Sequence, residues 1–140
     1  MIKKKSKSKV VKNRFGYIPI ELYYVAVLVS INQTDEQFKK SMITDAKLPK
    51  ELAESFLENT LKRDESHNAH CTWSDVGGIY IIRLYDYSPT PFQYSVITHE
   101  AFHATYHILE GKGLQLSDSS EEAFAYLIGH ITEKVHKIIK

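Results

Sequence analysis

"ITHEAFHATYH", Ile97 to His107, sets two histidines four residues apart with a glutamate directly after the first. On an α-helix, residues four apart lie one above the other on one face. His99 and His103 then aim two imidazoles at one point, and Glu100 is turned by about 100° to the flank. This is the H-E-x-x-H arrangement, two metal ligands with a general base beside them. The plain alternative is a helix with two satisfied histidines. Either reading needs a helix here, and the flanks supply one. Thr90 offers an N-cap, Pro91 a first helical position and Gln93 the closing residue of a capping box. "GKG", Gly111 to Gly113, is a stop. The helix is expected from about Pro91 to Glu110.

Outward from that helix, the pattern is α+β. Phe124, Leu127, Ile128, Ile131, Val135 and Ile138 repeat with a 3.6-residue period, which predicts a last helix opening near "SDSSEE". Upstream, "IELYYVAVLVSIN" (Ile20 to Asn32) is rich in Val, Ile and Tyr and mostly continuous in apolarity, as a central strand would be. Thr34 and Gln37 form a capping box for a short helix to about Asp45. Pro49, at a first helical position, opens a second helix carrying Leu52, Phe56, Leu57 and Leu61, to about Arg63. "RDESHNA" (Arg63 to Ala69) reads as loop. "CTWSDVGGIYIIRLYDY" (Cys71 to Tyr87) reads as strand, Gly-Gly turn, strand, with Arg83 pointing to a partly exposed face. The expected architecture is a small early sheet packed on the histidine helix and the C-terminal helix.

The composition is that of one soluble domain of 140 residues. A single cysteine, Cys71, excludes an intramolecular disulfide and fits a reducing compartment. The net charge of +1 hides an asymmetry: residues 1–14 hold seven Lys/Arg and no acid, leaving 11 basic against 17 acidic side chains, a formal −6. The chain thus divides into a basic flexible arm, 1–14, and a single domain, 15–140. The arm is a solvated tail or a weak nucleic-acid contact through residues 3–14, where lysines neutralise phosphates. No aromatic residue interleaves them to stack bases. The apolar run Tyr23 to Ile31 has nine residues, well short of the ~20 a membrane span requires. A cytoplasmic, untargeted protein that makes no membrane contact is expected.

A catalytic zinc ion takes three protein ligands and keeps one open position. His107 lies about 12 Å along the axis from His99, too far to share its ion. The metzincin pattern fails as well, because Tyr106 holds its glycine position and Leu109 its last histidine position. The remaining candidate is Glu122 in "EEAFAY". An αα-hairpin through Gly111 to Asp118 would return the last helix beside the first, and Ala125 would let the two approach. Glu121 is assigned instead to capping, with Asp118.

"THEAFHATYHIL" together with "SEEAFAYLIG" resembles the gluzincin clan of zinc metallopeptidases, in particular small zincin-like proteins of bacteriophages and, more loosely, the ImmA/IrrE peptidases. The resemblance covers about residues 77–137. It implies Zn2+ held by His99, His103 and Glu122, with Glu100 as the catalytic base. Gluzincins often carry Asp or Asn four residues after the ligand glutamate. This chain has Tyr126 there, either a hydrogen-bond partner for a ligand histidine or an oxyanion stabiliser.

Other clusters are weaker. "HNAHC" (His67 to Cys71) lacks a partner cluster of metal spacing and reads as loop. Cys71 reads as a small packed residue, and His130 and His136 as helix-surface histidines. "GIYIIRLYDY" (Gly78 to Tyr87) is expected to serve either as a plain strand or as an edge that pairs with extended peptide. The function expected is zinc-dependent hydrolysis of peptide bonds in a protein or peptide substrate. The rival is a non-catalytic zincin-fold interaction or virion-associated protein whose basic arm docks on nucleic acid or a partner protein.

Overall fold

The computed structural model describes residues 11–61, 69–74 and 77–140. Most of the basic arm, residues 1–10, lies outside them, as do residues 63–68 of the expected loop and residue 62 at the expected end of the second helix. Residues 11–14 belong to the packed body. The Val11 carbonyl accepts from Asn32, Asn13 donates to Gln37, and Arg14 opens the first strand.

Four strands form one mixed sheet in the order β1-β2-β4-β3, with β1 at Arg14–Ile20, β2 at Val25–Ile31, β3 at Ala69–Trp73 and β4 at Ile79–Leu84. β1 and β2 form an antiparallel hairpin through a 3₁₀ turn at Glu21–Tyr23, closed by Tyr24 in the left-handed region (φ 54°). β2 and β4 are parallel, and β3 runs antiparallel to β4 on the outside. The helices α1 (Asp35–Thr44) and α2 (Lys50–Leu61) carry the chain between β2 and β3. The helices α3 (Pro91–Gly111) and α4 (Glu121–Ile139) follow β4.

The sheet is covered on both faces. Val27, Val29 and Ile31 of β2 pack with Ile82 and Leu84 of β4 against Ala101, Ala104 and Ile108 of α3 and Phe124, Leu127 and Ile131 of α4. Leu28 and Ile81, on the other face, meet Phe38 and Met42 of α1 and Phe56 of α2. A strand buried on both sides has no solvent face to leave polar, so β2 reads as one apolar run and is buried at all seven positions. The α+β expectation stands, as three layers with the histidine helix and the C-terminal helix sharing one of them.

Caps settle the element ends largely as expected. Thr34 accepts from the Gln37 backbone N–H at 3.2 Å while the Gln37 side chain accepts from the Thr34 N–H at 2.9 Å, a complete capping box. Thr90 caps α3 by accepting from the Gln93 N–H, with Pro91 in the first turn. The end of α3 is a Schellman motif: Leu114 N–H reaches the Leu109 carbonyl, Gly113 N–H reaches that of Glu110, and Gly113 takes φ +80°. α2 begins one residue later than expected. The Pro49 carbonyl accepts from Ala53, which makes Pro49 the flanking residue rather than the first helical one.

Two expectations are corrected, and of the two roles open to Gly78 to Tyr87 the plain strand holds. Arg83 does not face solvent; it is 1% exposed, bonded to the Asp35 carboxylate at 2.9 Å and the Gln33 carbonyl at 3.1 Å, with its guanidinium 4.5 Å over the Phe38 ring. Its charge is matched by partners about fifty residues away, which no local pattern announces. β4 is not an edge. It lies between β2 and β3, so the sheet edge on this side is β3. Asp118 and Glu121 do not cap α4; Ser120 is its N-cap residue, and its hydroxyl turns back to the Gln115 carbonyl.

Candidate metal centre

α3 lies with one flank against β3, and this juxtaposition makes the site. The contact is anchored by Trp73 of β3 and His107 of α3, whose rings stack with centroids 3.5 Å apart at 20°. His107 is therefore a packing residue, with the Glu110 carboxylate 3.8 Å from its Nδ1. One turn and two turns back along α3 stand His103 and His99. Their Nε2 atoms are 3.0 Å apart and their rings meet edge to face. The i, i+4 spacing does what it predicts: both imidazoles aim at one region. Glu100 sits on the flank facing β3 and is 7% exposed. The three residues line one cleft of about 250 Å³ together with His70, Cys71, Trp73, His107 and Ala69. A second cleft, of about 510 Å³, continues past the Trp73–His107 stack towards Glu110 and Lys112.

Burial, then the neighbouring His99 and His107, lower the pKa of His103 from its ordinary value. Burial likewise lowers that of His107, opposed by Glu110. The thiol of Cys71 is pushed up to about 12, first by burial and then by the negative charge of Glu100. That second cause places the carboxylate and the thiol within electrostatic reach of each other across the cleft.

Two nitrogens bound tetrahedrally to zinc at 2.0–2.1 Å stand roughly 3.3 Å apart. The 3.0 Å between the two Nε2 atoms is a hydrogen-bond distance in the bare chain and lies within a few tenths of an ångström of that separation. Glu122 does not join them. It is exposed in the first turn of α4, and among the described residues no three His, Cys, Asp or Glu side chains gather where they could hold one ion. The reason lies in the level at which the hairpin returns. Tyr94 near the start of α3 meets His136 near the end of α4, with ring centroids 5.7 Å apart. Counting from that contact along antiparallel helices puts Glu122 level with Ile108, about 7 Å along the axis from His103 and about 13 Å from His99. Ala125 is exposed and mediates no close approach.

No family model, curated protein or solved structure matches this chain.

The remaining expected residues are placed as follows. Tyr126 is 71% exposed and stacks on His130, with centroids 6.1 Å apart, outside the cleft. His136 contacts Tyr94, so it has a packing role between the helices. Cys71 lies in a strand, as read from Cys71 onward, but that strand, β3, begins earlier and takes in His70, which was expected in a loop. Sequence reasoning left β3 out of the site. The signal available was a strand of residues with side chains alternating between faces, one of them a cysteine, shortly before the histidine helix.

Proposed function

We propose that this chain is a metal-dependent hydrolase that cleaves peptide bonds in a protein or peptide. One observation carries the reading: two imidazole nitrogens 3.0 Å apart at a cleft, with a buried glutamate on the next position of the same helix. His99 and His103 would hold the ion, zinc by donor type. When bound, zinc supplies Lewis acidity, polarising a carbonyl and acidifying water. Glu100 accepts the proton of the attacking water as the C–O bond forms, then returns it to the amine nitrogen as the C–N bond breaks. Its burial keeps bulk water from competing for that proton. β3, as the sheet edge beside the cleft, can align an extended peptide by main-chain hydrogen bonds, the role expected of Gly78 to Tyr87. The proposed compartment is the cytoplasm, of a host cell if the chain is phage-encoded. Among the described residues no helix is long and apolar enough to cross a membrane.

The test is Glu100→Gln. The variant should retain metal by elemental analysis and lose turnover by about 10²–10⁴-fold, the range for a removed general base. Full activity in the variant would end the reading. A second reading, a non-catalytic interaction protein, is favoured by the position of Glu122 outside the cleft. Metal retention by wild type with no cleavage across a peptide library would select it.

A further inference from the structure

Resting on the reading above, we propose that the substrate is an unfolded polypeptide that also binds away from the metal cleft, at an apolar exosite around Tyr17 and Tyr24. Three clefts share their walls in series. Trp73 and His107 line both the metal cleft and the second cleft, and Val25 and Gly78 line both the second cleft and a third of about 400 Å³. The third is walled by Tyr17, Pro19, Tyr24, Ala26 and Ile79. Pro19 pairs with Ala26, and Ala26 with Ile79, so this cleft lies on the sheet face that carries Leu28 and Ile81 under α1 and α2 further along. The metal cleft is on the opposite face, where Trp73 stacks on His107. The track between them therefore turns round the end of the sheet at Val25 and Gly78.

The far end of the track is an exposed apolar patch. Tyr17 is 53% exposed, Leu22 75% and Tyr24 91%. Single apolar side chains are ordinary on a surface, but three gathered at one hairpin around a cleft mark a place of binding. Tyr24 stands at φ 54°, where the backbone favours glycine or asparagine over an aromatic residue. Its ring adds little to the core, and tyrosine is a residue on which interfaces commonly depend. Continuity with the metal cleft names the occupant: a chain held at the imidazole pair and leaving past the Trp73–His107 stack enters this track. Register sets Trp73 beside Tyr80, Tyr80 beside Val27 and Val27 beside Ile18, so about 14 Å of strand spacing separates β3 from β1. With about 6 Å along α3 from His103 to His107, the track is roughly 20 Å long, some six residues of extended chain at ~3.3 Å each. The substrate selected carries a large apolar residue about six positions from the bond that is cut. A folded protein buries such residues, and a peptide of four residues does not reach.

Carboxymethylated lactalbumin, as an unfolded protein, and a library of four-residue peptides are the two probes. Tyr24→Asn removes the ring and keeps a residue that the left-handed turn accepts; its fold is checked by circular dichroism. With zinc supplied, the ratio of kcat/KM for lactalbumin to kcat/KM for the peptides should fall by about fivefold or more in this variant, the loss of one interface tyrosine. Adding Tyr17→Ser should lower the ratio further. Binding is read without turnover. Fluorescently labelled carboxymethylated lactalbumin should bind Glu100→Gln, and Tyr24→Asn in that background should raise Kd by a similar factor. An unchanged ratio or an unchanged Kd overturns the exosite and leaves the hydrolase reading intact. Equal losses on both probes assign Tyr24 to the fold instead and also overturn the exosite. No cleavage of either probe by wild type overturns both.

Discussion

Asn32 joins three segments of the chain through one side chain. It sits at the end of β2 with φ 54°, and its amide nitrogen donates to the carbonyls of Val11 and Tyr87 at 3.0 Å each. Its Oδ1 accepts from the Tyr87 backbone N–H at 2.7 Å, and its own N–H reaches the Leu84 carbonyl. One side chain thus ties the segment leading into β1, the central strand and the turn that launches α3 towards the site. Asn32→Ala removes three hydrogen bonds and leaves a β-carbon in the left-handed region. Urea unfolding should show a loss of about 2–4 kcal/mol. Asn32→Gly loses the same bonds without the backbone penalty, so it should be milder by about 1 kcal/mol. Equal stability of the two variants would show that the backbone conformation is not part of the effect.

At the scale of elements, Gly16 decides how α4 lies on β1. A β-carbon at Gly16 would stand 2.2 Å from Cδ1 and 2.6 Å from Cγ1 of Ile138, so the missing side chain is the seat for the last turn of α4. Valine is favoured in strands, yet Gly16→Val should destabilise by about 1–3 kcal/mol through overpacking. Combining Gly16→Ala with Ile138→Ala should give less than the sum of the single losses, by roughly 1 kcal/mol in a double-mutant cycle. Additive losses would show that the two positions do not meet. The same scale explains what could be read in advance. Thr34 with Gln37, Thr90 with Pro91, and Gly113 act within a few residues, and all are legible. β2 is legible because burial on both faces makes its apolarity continuous. β1 is not. Its "YIPI" includes a proline that an interior strand would reject, and only its position at the sheet edge tolerates it. Arg83 misleads, and the placement of Glu122 could not be read, for one shared reason. The partners of Arg83 and the level at which α4 returns are set by packing between elements distant in sequence.

Across the whole molecule, the candidate site joins two elements whose described connection is otherwise limited to one layer contact. β3 is bonded to β4 along one edge and rests on α3 through the Trp73–His107 stack. An ion shared between α3 and β3 would pin the edge strand to the helix, whereas an ion held by His99 and His103 alone would burden only α3. Either way, a metal that binds the folded chain and not the unfolded one stabilises it by mass action, by about 2.7 kcal/mol at a free concentration one hundred times Kd. With a urea slope of roughly 1–3 kcal/mol per molar, zinc should raise the unfolding midpoint by about 1–3 M, and a chelator should return it. His99→Ala should abolish the shift, because it removes one of the two nitrogens already in place. Amide exchange separates the two arrangements. If the ion bridges the layers, zinc should slow exchange at Cys71 and Trp73 as well as along α3. Slowing confined to Ile97–His107 would place the ion on the helix alone, and an undiminished shift in His99→Ala would place it elsewhere in the chain.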